Sequence, residues 1–137
     1  MYRKILVPVD LAHAESLEKA LSAAASLGAH FGASLHLVAV TGSGPSHIAK
    51  TPEEFEEKLE EFAALQSRRR SIEMAPHAAL SHDPEVDLAW AIRQMADEIG
   101  ADLIVMATHV PGFAAWIFAS HGGAVASHAS QSVMLVR

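Results

Sequence analysis

Gly100-Ala101-Asp102-Leu103-Ile104-Val105-Met106-Ala107-Thr108-His109-Val110-Pro111-Gly112 leads through Phe113 to Ala119 into Ser120-His121-Gly122-Gly123, and the chain closes on Ser132-Val133-Met134-Leu135-Val136-Arg137. Leu103 to Met106 shows no polar alternation, the mark of a strand buried on both faces. The loop after it feeds a helix that Ser120 is expected to open, and the helix feeds a last apolar strand, Val133 to Val136. Open α/β sheets use this order to hold an anion at a helix N-terminus, where free N–H groups and the helix dipole favour negative charge. Ser120 also reads simply as an N-cap.

Upstream of this segment, strands and helices alternate. Lys4 to Val9 is a β-branched run ending at Asp10 and reads as a buried strand. Leu17, Leu21, Ala24 and Gly28 mark the inner stripe of a helix from Ala14 to Phe31, stopped by Gly32. Leu35 to Val40 is the second strand, and Thr41 to Ser46 the most loop-like stretch. Thr51-Pro52-Glu53-Glu54 carries an N-cap, a first-turn proline and a capping-box glutamate. Phe55, Leu59 and Phe62 form that helix's inner face, and Arg68 to Arg70 suit its C-terminal dipole. Ser71 to Ala78 reads as a weaker strand, put at a sheet edge by Pro76. Asp83-Pro84 caps a third helix with inner face Leu88, Ile92, Met95 and Ile99, ended by Gly100. Five strands separated by helices predict an α/β fold with a doubly wound parallel sheet. No internal repeat is present, so residues 1–137 are expected to form one domain.

Composition bounds the function. The 137 residues are 50% hydrophobic and 19% charged, which excludes a disordered chain. No cysteine is present, so disulfides, thiolate zinc sites and redox thiols are absent. The net charge of −6 and a pI near 5.8 argue against a nucleic-acid partner, which would call for a basic face. No apolar run reaches the roughly 20 residues of a membrane span, and the start runs directly into a strand without room for a signal peptide. A cytoplasmic protein without a membrane partner is the expectation.

Lys4-Ile5-Leu6-Val7-Pro8-Val9-Asp10, Leu37-Val38-Ala39-Val40, Gly100 to Met106 and Ser132 to Val136 together resemble the universal stress protein family, over the whole chain and in the right order. The resemblance implies a five-stranded sheet of order 3-2-1-4-5, adenine-nucleotide alpha-hydrolase-like, and a stress-response role. It also implies an adenine-nucleotide site for ATP or AMP. Pro8 and Asp10 match positions at the adenine and ribose end, with Val9 between them, and Val40 matches one whose backbone contacts the base. The family's phosphate loop, Gly-x-x-Gly followed by a spacer and Gly-Ser or Gly-Thr, falls on Met106, Ala107, His109, Val110, Ser120, His121 and Gly122. Here its glycines are replaced by Ala107, Val110 and Ala119, and the spacer Pro111 to Phe118 is one residue short. Val110 resists positive φ, and Pro111 has no N–H to donate. A subgroup of single-domain bacterial members reads Ala-Ser-His-Arg-Pro at this loop. The present chain shares its Ala-x-His-x-Pro pattern and puts Val110 where the arginine stood.

Other chemistries find little support. His109, His121 and His128 share the C-terminal region, but His121 and His128 on one helix would lie about 10 Å apart. No metal site is expected from them, and the histidines read as scattered surface and loop residues. Ser120 with His121 or His109 lacks the strand–elbow–helix context of a nucleophile, and no catalytic residue is assigned. Asp10, at the end of a strand, serves equally as a ligand group or as a cap. The family's last strand commonly pairs across a two-fold, and Val133 to Val136 would otherwise be a bare apolar edge, so a homodimer through it is expected. Three readings stay open: a nucleotide-binding stress regulator, a dimeric adaptor of the same fold that binds no nucleotide, and a weak hydrolase or metal-dependent enzyme, which the absence of a coherent constellation disfavours.

Overall fold

A computed structural model of the chain describes residues 1–108 and 117–137, with the side chains of Glu85 and of residues 117–120 left out. The elements are β1 (Lys4–Pro8), a 3-10 stretch (Leu11–Leu17), α1 (Glu18–Phe31), β2 (Ser34–Thr41), α2 (Pro52–Arg70) and β3 (Met74–Leu80). They continue through α3 (Pro84–Ile99), β4 (Leu103–Ala107), α4 (Ile117–His128) and β5 (Ser132–Val136). All strand pairs are parallel, in the order β3-β2-β1-β4-β5. The crossovers run outward from β1 to β3 and then back across to β4 and β5. Right-handed connections therefore place α1 and α2 on one face and α3 and α4 on the other.

The strands hold the core. Ile5, Leu6, Val7, Ile104, Val105 and Met106 are fully buried, because β1 and β4 are central and covered on both faces. The expected punctuation marks hold as well. Gly32 and Gly100 take φ of 65° and 71° at the ends of α1 and α3, a conformation that glycine adopts without strain. Thr51 Oγ1 accepts the Glu54 N–H at 3.1 Å, while the Glu54 carboxylate accepts from Lys50 N–H, one residue before the position a capping box uses. Pro76 sits in the edge strand β3, where a missing donor matters least.

Three boundaries differ from expectation, each for a local reason. The first helix proper begins at Glu18, not Ala14. The Asp10 carboxylate takes up the Ala12 N–H at 3.0 Å and winds the chain into a tighter 3-10 stretch, kinked at His13. The third strand begins at Met74, because Ser71 (φ 54°) is still the cap of α2. The last helix is already formed at Ile117, so Ser120 lies inside it and not at its start, and nothing in Ile117, Phe118 or Ala119 stops a helix.

His36 and His77 meet on the face of β2 and β3, with His36 Nδ1 2.9 Å from His77 Nε2. Burial lowers the pKa of His36, with the His77 ring and the Lys4 ammonium adding to it; burial also lowers His77. Below pH 6.5, the ordinary imidazole value, the unfolded chain binds protons that the folded pair refuses. This contribution to stability is therefore full above pH 6.5 and is lost as pH falls through the depressed folded values. In thermal melts across this range, His77→Gln should lose less stability on acidification than the parent chain. Parallel pH profiles for the two would show that the pair contributes nothing.

Candidate nucleotide cleft

The carboxyl ends of β1 and β2 face a cleft of about 520 Å³, within the size range of small-molecule sites. Five parts of the chain build it. Val9 to His13 come from the turn after β1, Val40 to Gly42 from the end of β2, and Ser46 to Ile48 from the loop that follows. Phe55 on α2 and Asp83, Pro84 and Leu88 at the start of α3 complete the wall. Val9, Phe55 and Leu88 are also core residues, so the cleft's apolar side is continuous with the folded interior. This is the position where parallel sheets place ligands, since every loop at that end is released from strand pairing.

The polar rim is already organised. One oxygen of the Asp10 carboxylate accepts the Ala12 N–H, and the other lies 2.8 Å from His13 Nδ1. Asp10 is thus a cap and holds a histidine, yet each carboxylate oxygen has a second lone pair for a ligand hydroxyl. Across the cleft, Ser46 ties its own loop: its Oγ accepts the N–H groups of Ile48 and Ala49, each at 3.2 Å. Lys58 Nζ on α2 donates to the Ile48 carbonyl and pins the loop from outside. The Asp83 carboxylate accepts the Val86 N–H at 3.4 Å as the cap of α3.

The residues expected at the site divide into groups. Val9, Asp10 and Val40 come together in the cleft. Pro8 is paired in β1 one residue behind them. Met106 and Ala107 are buried in β4, paired with Leu135 and Val136. His109 and Val110 lie outside the described residues. Ser120 falls inside α4, not at its start. The N–H groups of His121, Gly122 and Gly123 point back along the helix and bond within it. Gly122 faces the sheet: a Cβ there would lie 3.3 Å from Leu135 Cδ2 and 3.4 Å from Thr108 Cγ2. Its missing side chain serves the packing of α4 on β4 and β5. His13, Phe55 and Leu88 are lining residues that sequence reasoning did not assign. The signal that points to them is general: they lie just after the strand ends, or on the first turns of the helices that follow.

Among the described residues no helix is long and apolar enough to cross a membrane. Comparison with known proteins matches residues 1–137 to the model of the Universal stress protein family. The chain is 28% identical to Universal stress protein G of Shigella flexneri, with all of both chains covered. In fold it is similar to a universal stress protein solved in complex with cAMP (TM-score 0.72, 18% identity, 99% of this chain and 97% of that one). It is also similar to the universal stress protein of Archaeoglobus fulgidus in complex with dAMP (TM-score 0.66, 23% identity, 99% and 98% covered). The sheet order, the family match over the full length and these neighbours agree on an adenine-nucleotide alpha-hydrolase-like fold, and the chain belongs to the universal stress protein family.

Proposed function

We propose that the protein is a cytoplasmic stress-response regulator that binds an adenine nucleoside monophosphate in the cleft between Asp10 and Val40. The observation that carries this reading is the cleft itself: an apolar wall of Val9, Val40, Phe55 and Leu88 suited to a purine, beside a carboxylate with spare acceptor capacity for a ribose hydroxyl. The cAMP and dAMP complexes of proteins with the same fold support the ligand class. Charge favours a monophosphate over ATP. The described lining carries Asp10 and Asp83 and no lysine or arginine, so each added phosphate brings repulsion without a fixed cation to offset it. The N–H groups of His121 to Gly123 bond within the helix and are not available to a phosphate.

Titration calorimetry with AMP, ADP and ATP tests the proposal, together with mass spectrometry of nucleotide retained through purification. AMP should bind most tightly, and absence of heat with all three would overturn the reading. Asp10→Asn is the informative variant. Asparagine caps as well as aspartate, so the fold is kept, while the charged acceptor is lost. That loss is worth about 1.5–3 kcal/mol, and AMP affinity should fall about tenfold or more.

A second reading, the dimeric adaptor, rests on β5. It is an edge strand, and Met134 and Leu135 on it are 41% and 42% exposed. An uncovered apolar edge is a pairing template, and a second copy related by a two-fold would satisfy it. Light scattering at micromolar concentration should give twice the chain mass, and Met134→Asp should return it to the monomer. A monomeric parent chain would refute the dimer. Calorimetry without heat, combined with a dimer, would favour the adaptor over the nucleotide reading.

A further inference from the structure

His36 and His77 are 41 residues apart in the chain and meet across the β2–β3 pair. His36 is in register with Ala75, and His77 with Val38, so the two are diagonal neighbours on one face of the sheet. Their rings stack at 5.1 Å with an interplanar angle of 30°. His36 is four residues, about 13 Å, back along β2 from Val40, outside the nucleotide cleft.

We propose that His36 Nδ1 and His77 Nε2 form a two-point chelating site for a divalent transition-metal ion, Cu(II) foremost, with water completing the coordination. The separation of the two nitrogens is the first argument. Two donors about 2.0–2.1 Å from one ion at a right angle lie about 2.9 Å apart, whereas a tetrahedral angle needs about 3.3 Å. The observed 2.9 Å suits adjacent positions of a tetragonal ion. Imidazole donors in that geometry select Cu(II) and Ni(II), and Cu(II) leads the divalent affinity order.

The second argument is orientation. Ser34 Oγ donates to the Arg3 carbonyl at 3.4 Å, which leaves an oxygen lone pair facing His36 Nε2 at 3.0 Å. We assign His36 the tautomer with its proton on Nε2, which donates to Ser34 Oγ and presents a bare Nδ1 toward His77. This is the outer hydrogen bond that ligating histidines use to fix ring and tautomer. In the metal-free protein His77 Nε2–H donates to that Nδ1. On binding, the Nε2 proton leaves to water and Nδ1 of His77 takes one up, so His77 stays neutral. Both rings already favour the neutral form that a metal requires. Both rings are only partly buried, which leaves room for water ligands. The Lys4 ammonium is the opposing charge. It is turned to the Ile99 carbonyl at 2.9 Å, and its repulsion moderates the affinity. No group of three or more His, Cys, Asp or Glu side chains is placed to hold a metal among the described residues, so this is a two-ligand site.

Copper(II) chloride titrated into the full chain near neutral pH, in a non-coordinating buffer and read by electron paramagnetic resonance, is the test. One ion per chain should bind with nitrogen splitting from two imidazoles. His36→Gln or His77→Gln should weaken binding about tenfold or more and remove one nitrogen from the spectrum, while His128→Gln changes neither. Unchanged affinity and spectrum in both pair variants would overturn the proposal. In the parent chain, where folding is not in question, substoichiometric Cu(II) should broaden the imidazole resonances of His36 and His77 ahead of the rest. Broadening spread over all nine histidines would also overturn it.

Discussion

Phe55→Ala is expected to destabilise the protein by about 3 kcal/mol, the lower end of the range for a buried phenylalanine, and to abolish detectable AMP binding. Phe55 is 6% exposed, on the first turn of α2, and belongs both to the core and to the cleft wall. Truncation would enlarge an opening that already reaches solvent, so water fills part of the space and the sealed-cavity penalty is reduced. The transfer term remains, because the ring's buried surface is exposed in the unfolded chain. Urea denaturation should show a lower midpoint at an unchanged slope. A loss below about 1 kcal/mol would mean that the ring is not part of the packed interior. Leu59→Ala gives the control: Leu59 is 1% exposed on the same helix and does not line the cleft. It should cost about 2–5 kcal/mol and leave AMP affinity unchanged. A parallel loss of affinity in both variants would assign the Phe55 effect to stability alone.

What could be read from the residues was whatever has a local cause. Strands buried on both faces show as unbroken apolar runs, so β1 and β4 are visible in Lys4 to Val9 and Leu103 to Met106. Helix ends are visible where a cap needs a particular residue: Thr51, Asp83, Gly32 and Gly100 all act where their chemistry suggests. Order of elements then determines topology, because right-handed crossovers leave few alternatives. Boundaries were less legible where one residue has two uses. Asp10 caps whatever turn follows, and nothing in Leu11 to Leu17 distinguishes a 3-10 stretch from an α-helical start. Ser120 looks like a cap because serine usually is one, yet the helix is free to begin earlier.

The site was half legible for the same reason. Asp10 and Val40 are strand ends, and their place follows from topology. Phe55 and Leu88 read as inner-face residues, and their second use depends on where five separate segments converge, which no local pattern records. His36 and His77 are the extreme case. Each alone is an ordinary histidine in a strand, and their pairing follows only from the register of β2 on β3, which places Val38 opposite His77.

The arginine run at the end of α2 separates local from tertiary causes most sharply, and Arg70→Met is expected to cost about 1–3 kcal/mol while Arg68→Met and Arg69→Met stay within about 0.5 kcal/mol. As a sequence the run is a cationic helix end that suits the dipole, and all three residues look equivalent. In the fold they are not. Arg68 and Arg69 are exposed, whereas the Arg70 side chain is 12% exposed and reaches across to α1. Its guanidinium donates to Ser22 Oγ at 2.6 Å and to Gln66 Oε1 at 3.2 Å, and it pairs with Glu18 at 2.9 Å. The Glu18 carboxylate is 66% exposed, so the ion pair is largely screened and contributes less than about 1 kcal/mol. Gln66 decides the outcome. It is 4% exposed, and without Arg70 its Oε1 loses its donor in a place that water reaches poorly, which is the expensive way to lose a hydrogen bond. Glu18→Gln should therefore cost much less than Arg70→Met, and added salt should weaken the parent chain little. Chemical denaturation of the variants measures the difference. Equal losses at Glu18 and Arg70 would place the energy in the ion pair. Recovery of most of the Arg70→Met loss by adding Gln66→Leu would place it in the stranded amide, as this geometry requires.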